Sequence, residues 1–244
     1  MQLIFCNFGF FLFLAILINS QATKATISYK SSDVTPVDSH LYRFNLRRWD
    51  LKSLKDDGVS GPFDLIGEHK IFFISRCGLI SIFQRNKGQM GLIQQKKLPF
   101  HDEVLCQDRQ NTKTTGVKDL LIEPLNDNRL TVYISYLTGI TTCPKLRIDR
   151  LHLKIAKTIV FQDRKKLFET SKCPKEPIVY TQSGGAMAAG AENIYFNVGD
   201  FGYMDSPEFP EHGTIFSIEK RPPFNRRKIA RGIRNSEGLT VVDK

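Results

Sequence analysis

The chain has 244 residues, a formal net charge of +10, and apolar and charged fractions of 41% and 25%. These values exclude a collagen-like, low-complexity or intrinsically disordered chain and allow a sizeable core in one or two domains. The positive balance draws anionic partners by long-range attraction and says nothing about fold.

The chain opens "MQLIFCNFGFFLFLAILINSQATKA". Leu3 to Ile18 is nearly all apolar and uncharged, yet shorter than the ~20 residues a membrane span needs. Small and polar residues follow, with Ala22 and Ala25 as cleavage positions. The segment therefore reads as a secretory signal peptide over 1–25, leaving a domain over 26–244 that is secreted or periplasmic. No Lys or Arg precedes the apolar run, so an uncleaved N-terminal anchor is the alternative; no other stable membrane span is expected.

Beyond the signal segment stand Cys77, Cys106, Cys143 and Cys173. An even number of cysteines in an exported chain points to two disulfides, and nearest-neighbour pairing (Cys77 with Cys106, Cys143 with Cys173) is the simplest of three connectivities. A zinc site is disfavoured by the lack of a C-x-x-C pair and of histidine at ligand spacing. Buried free thiols are the remaining alternative.

Helical periodicity is scarce, and short alternating runs bounded by turn residues dominate. "HKIFFISRCGLISIF" (69–83) reads as two strands around a turn at Arg76–Gly78. The runs at 128–137 and 146–155 form a second pair, and those at 192–202 and 213–220 a third. "GLTVVDK" (238–244) starts a fourth. Phe72, Tyr133 and Tyr195, at the centres of the leading strands, recur about every 61 residues. That period suits roughly four strands per unit, as in a propeller blade, and is longer than the repeats of tighter solenoids. The expectation is an all-β chain with about three to four blades. Such a set does not close a ring. Either the chain is a fragment of a longer protein, the preferred reading, or a second copy covers the open sheet edge.

The stretch "GGAMAAGAENIYFNVGDFG" (184–202) invites a phosphate-loop reading, which fails. Gly185 and Gly190 have the glycine spacing, but Ala191-Glu192 replace Lys-Ser/Thr, and a strand follows where a helix is needed. The dinucleotide fingerprint and the hydrolase nucleophile elbow are absent as well. Lys220 to Arg234 holds seven Lys or Arg. It reads as a solvated loop, and no nucleic-acid partner is expected for an exported protein. His69, His101, His152 and His212 show no metal spacing and read as surface or strand residues.

Together, "SGGAMAAGAENIYFNVGDFG" and "ARGIRNSEGLTV" (230–241) resemble the soluble quinoprotein glucose/sorbosone dehydrogenase family. Gly199-Asp200 match its Gly-Asp after an aromatic strand. Gly232, Arg234, Asn235, Gly238 and Leu239 match its G-x-R-N-x-x-G-L. Looser likeness extends back through 116–136 and 69–83. The resemblance implies a six-bladed β-propeller, here incomplete, that binds pyrroloquinoline quinone (PQQ) and calcium and oxidises aldose sugars. It assigns Asp200 to the support of a general-base histidine, and Arg234 and Asn235 to contact with the quinone. The histidine itself falls on Thr181 or Gln182, neither of which is a base near neutral pH. A family glutamine falls near Asp205. The family's calcium ligands lie beyond Lys244, so no metal ligand is assigned. The implied protein is an oxidoreductase relative that turns over a small sugar weakly or not at all. The alternative is a non-catalytic propeller module or remnant that binds a protein or glycan.

Overall fold

The computed structural model describes, side chains included, residues 61–86, 91–106, 115–126, 128–174, 177–203, 208–234 and 238–241. The segment read as a signal peptide, together with Asp205, Asn235 and residues 242–244, lies outside them. None of the described helices is long and apolar enough to cross a membrane.

The described chain is all-β. Strands β1 (Phe63–Ile66), β2 (Lys70–Ile74), β3 (Leu79–Asn86) and β4 (Gln89–Lys97) form a first antiparallel sheet. The second sheet contains β5 (Val117–Asn126), β6 (Arg129–Ile140), β7 (Cys143–Ile155) and β8 (Ile159–Glu169). The third contains β9 (Gly184–Ala189), β10 (Asn193–Val198), β11 (Thr214–Glu219) and β12 (Arg226–Arg231). Each is a meander in which every strand pairs with its sequence neighbour. The aromatic residues of the repeat hold like places on second strands: Phe72 lies opposite Ile82, Tyr133 opposite Arg150 and Tyr195 opposite Ser217.

The second sheet is apolar on both faces, and β6 shows how its sequence achieves this. Leu130, Val132, Ile134 and Tyr136 pack with Phe72, Ile74, Ile80 and Ile82 of the first sheet. Tyr133 and Leu137, of opposite parity, pack with Met187, Phe196, Val198, Phe216 and Ile218 of the third. Phe168, Phe196 and Phe216 cluster at centroid separations of 4.8–5.5 Å in this second core, with Phe196 and Phe216 stacked and Phe168 tilted against both. Truncating Phe196 to Ala removes contacts from all of them, a loss of ~3–5 kcal/mol.

Two aspartates join the first strands of successive sheets. Asp64 in β1 accepts from its own Leu65 N–H at 2.7 Å and from Ile122 N–H of β5 at 2.9 Å. Asp119 in β5 repeats the pattern, accepting from Leu120 N–H at 2.8 Å and Met187 N–H of β9 at 2.6 Å. Asp119 lies three residues before Ile122; three before Met187 is Gly184, so the third sheet has no aspartate in this register.

Both disulfides follow the nearest-neighbour pairing. Cys77–Cys106 spans a Cα separation of 5.3 Å, and Cys143–Cys173 one of 4.8 Å. They suit an oxidising, extracellular environment. Two expectations need correction. The basic segment read as a solvated loop contains an edge strand, β12, whose charged side chains face water while its backbone pairs with β11. Residues 238–241 form no strand.

Candidate functional site

The Gly-rich stretch folds into the corner where the third sheet begins and β10 ends. A 3-10 turn at Tyr180–Gln182 leads into β9. Gly199 N–H donates to Ser183 O and Phe201 N–H to Gln182 O, both at 3.0 Å. Backbone this close leaves no space for side chains: a Cβ on Gly199 would collide with the Gln182 carbonyl, and one on Gly184 with the Gly199 amide. Gly184 also sits at φ +71°, a conformation glycine adopts without strain. The glycines are thus explained by backbone packing.

The turn after β10 holds Asp200. Its Oδ1 accepts from Gly202 N–H at 2.9 Å, and its own N–H donates to Arg234 O at 3.0 Å. The side chain is buried, and Oδ2 has no partner among the described residues. Phe201, fully buried, is held at φ +52°, a strained region for a bulky side chain that is sustained only where its surroundings over-determine it. Gly213 N–H donates to Gly199 O at 3.2 Å and Ile233 N–H to Gly213 O at 3.0 Å. Four chain segments therefore meet at this corner: 179–184, 199–202, 212–213 and 233–234.

The backbones of Asp200 and Arg234 meet at this corner, and the Arg234 side chain is exposed. Asn235, the third expected site residue, lies outside the described residues. Gln182, one of the two positions (with Thr181) where the resemblance would set a histidine, leaves its Oε1 buried and without a partner among the described residues. Ser183 Oγ and Asn197 Nδ2 are in the same condition. This concentration of unsatisfied buried atoms around one turn marks a place where the chain retains polarity that packing does not need.

His212, read from sequence as a surface or strand residue, is a correction. It is 3% exposed, stacks on Phe209 at 4.8 Å and 9°, and lies 5.0 Å from Phe201. Neither ring nitrogen has a partner among the described residues. Burial pushes its pKa down to about 4, against a small opposing pull from Glu211. At neutral pH it is an uncharged imidazole. The signal was in the hairpin itself: pairing 192–202 with 213–220 sets residues 212–213 beside Gly199-Asp200.

A second polar cluster lies on the second sheet. Asp149, fully buried, accepts from Tyr136 Oη at 2.9 Å, Arg164 Nε at 2.7 Å and Arg147 Nε at 3.1 Å. Arg164 grips Glu103 with two bonds of 2.6 and 2.8 Å and lies 3.8 Å over the Phe100 ring. The two charged groups and the aromatic ring tie the disulfide-closed loop at Cys106 to the sheet. The carboxylates of this cluster are fully paired, and its geometry is that of a strut.

The class these observations define is an all-β protein of sequential four-stranded antiparallel meanders, stapled by two disulfides, with a buried polar corner on the third sheet. No known protein family and no curated protein matches the chain. Among solved structures it is similar to a chain of an S. cerevisiae complex, a Dbp5 variant bound to Nup159, a Gle1 variant, IP6 and ADP. The identity is 11% and the TM-score 0.28, covering 78% of this chain and 46% of that one. This chain thus spans less than half the length of the other, and a likeness so loose carries no argument.

Proposed function

We propose that the chain is part of a β-propeller protein of the quinoprotein glucose/sorbosone dehydrogenase type, with its ligand corner at Asp200 and Arg234 and with little or no sugar-oxidising activity as it stands. The observation that carries this reading is the junction of the two motifs: Asp200 N–H donates to Arg234 O at 3.0 Å, although the residues are 34 positions apart. Sequential meanders, with first strands joined by Asp64 and Asp119, support the propeller reading.

PQQ carries several carboxylates, and the residues present are of a kind to receive them. Arg234 offers an exposed guanidinium at the corner, and Lys118 places its ammonium 3.4 Å from the carbonyl of Tyr180, in the turn that precedes β9. When bound, the quinone supplies the oxidant for a sugar hydroxyl carbon. The chain's residues would orient the sugar and hold its protons. Asp200 Oδ2, buried and without a donor, is suited to accept a proton-bearing neighbour, which here is missing: Thr181 and Gln182 cannot take a proton near neutral pH.

The test is direct. Purified, folded protein titrated with PQQ and calcium binds the quinone by absorbance, while dye reduction with aldoses stays near background. Thr181→His restores turnover by about 10²–10⁴-fold, the usual contribution of a general base. Absence of quinone binding in a folded sample overturns the reading.

A second reading, a non-catalytic module that binds glycan, is favoured by a groove of about 400 Å³ on the far face of the third sheet. Tyr195 offers a ring for stacking, and Glu192, Glu219, Asn193 and Arg227 offer hydroxyl-binding groups. Titration with neutral oligosaccharides, comparing the native chain with Tyr195→Ala, decides it.

A further inference from the structure

The groove of about 400 Å³ on the third sheet is floored by a cross-strand row. Tyr195 of β10 lies opposite Ser217 of β11, and Ser217 opposite Arg227 of β12. All three line the groove, so the row runs from an aromatic ring through a hydroxyl to a guanidinium. Two strand spacings separate its ends, about 10 Å. Gly190 makes space at the ring end. Its N–H donates to Asn193 O at 2.8 Å, and a Cβ there would stand 3.0 Å from Tyr195 Cε2, closer than the ~3.5–4 Å of ordinary carbon contact. Gly190 has no positive φ, so the ring, and not the backbone, is what requires a glycine here.

We propose that this groove takes a uronate-bearing oligosaccharide, with one sugar ring on Tyr195 and the carboxylate of a neighbouring acidic sugar at Arg227. A tyrosine ring offers a flat face to the C–H face of a pyranose, and a guanidinium meets a carboxylate through paired, charge-assisted bonds. Arg221, from the loop after β11, lines the same cavity and adds a second cation. Glu192 and Glu219 complete the charged lining. Glu219 is oriented by Asn225, whose Nδ2 donates to its Oε2 at 3.0 Å. The two carboxylates accept sugar hydroxyls and also set an upper limit on negative charge, since a densely sulfated chain would be pressed against both of them. Two guanidinium groups against two carboxylates therefore suit a sugar that is rich in hydroxyls and carries isolated carboxylates. The net charge of +10 favours the approach of such an anion at long range. The site rests on the glycan reading of the groove and adds to it the charge of the sugar.

Calorimetric titration of the full chain with trigalacturonate and with its methyl ester changes the charge of the sugar and little else. The acid binds about tenfold or more tightly than the ester. Arg227→Gln brings the acid down to the affinity of the ester and leaves the ester unchanged, whereas Tyr195→Ala weakens both alike. The comparison of acid with ester is made on the native chain, so it stands even where a variant fails to fold. Equal affinity for acid and ester overturns the uronate site and leaves the glycan reading in place. Absence of binding by either sugar removes both. A heavily sulfated trisaccharide that binds as tightly as trigalacturonate, or acid binding that Arg227→Gln does not weaken, shows attraction by surface charge alone and overturns the site as well.

Discussion

Asp119 and His212 respond to pH in opposite directions. Desolvation raises the Asp119 pKa to about 6, outweighing the hydrogen bonds from Met187 and Leu120, while the charge of Asp64 adds to the rise. Asp64 itself is raised, also mainly by desolvation. A carboxyl whose folded pKa lies above its unfolded value of 3.8 contributes stability that is full below pH 3.8 and lost as pH rises through 6. His212 is depressed to about 4 from 6.5, so its contribution is full above pH 6.5 and lost as pH falls toward 4. Each effect amounts to about 3 kcal/mol at its limit. They oppose one another, so the native chain shows a shallow profile between pH 4 and 7. Asp119→Asn uncovers the histidine slope, with stability falling on acidification. His212→Phe keeps the stacking on Phe209 and uncovers the carboxyl slope, with stability rising on acidification. Denaturant midpoints at pH 4, 5.5 and 7 measure both; parallel profiles for the native chain and the variants refute the assignment.

At the scale of elements, the loop at Cys106 depends on the Asp149 cluster. Removing the Asp149 carboxylate leaves the guanidinium groups of Arg147 and Arg164 short of their buried partner. Asp149→Ala therefore costs about 3–5 kcal/mol. Glu103 is 42% exposed, so Glu103→Ala costs about 1 kcal/mol or less, and less again in high salt. Urea unfolding of the two variants checks the order. Middle strands of the first and second sheets were legible because they bury both faces: "KIFFI" and "LTVYISYL" carry apolar and β-branched residues at nearly every place. The first and last strands were not. "GGAMAA" has no β-branched residue and reads as a turn, yet it pairs antiparallel with β10 as strand β9. "RRKIAR" reads as solvated charge, since an edge strand with wet side chains gives no apolar alternation. At the corner, Asp200 and Arg234 were legible as motifs. His212 was not, because its burial comes from tertiary packing against Phe201 and Phe209 and leaves no local periodicity.

Across the whole molecule, the repeated aromatic always faces forward along the chain. Phe72 packs toward the second sheet and Tyr133 toward the third, whereas Tyr195 lines the open groove. The forward face of the third sheet is thus equivalent to faces that are apolar elsewhere, but is rich in Asn193, Ser217, Glu219 and Arg227. A glycan or another polar surface suits it better than an apolar sheet. The aspartate clasps add a consequence in time. A meander is made of local contacts that close quickly, whereas the bond from Asp119 to Met187 bridges 68 positions. Each clasp is therefore expected to close after the meanders it joins. Loss of such a late contact acts on the reverse reaction: Asp64→Asn should speed unfolding while leaving the refolding rate nearly unchanged. Stopped-flow chevrons would show this as a shift of the unfolding arm alone, and a matching fall in the refolding arm would place the clasp early. The clasps are then latches on lifetime, setting how long neighbouring sheets stay together once assembled.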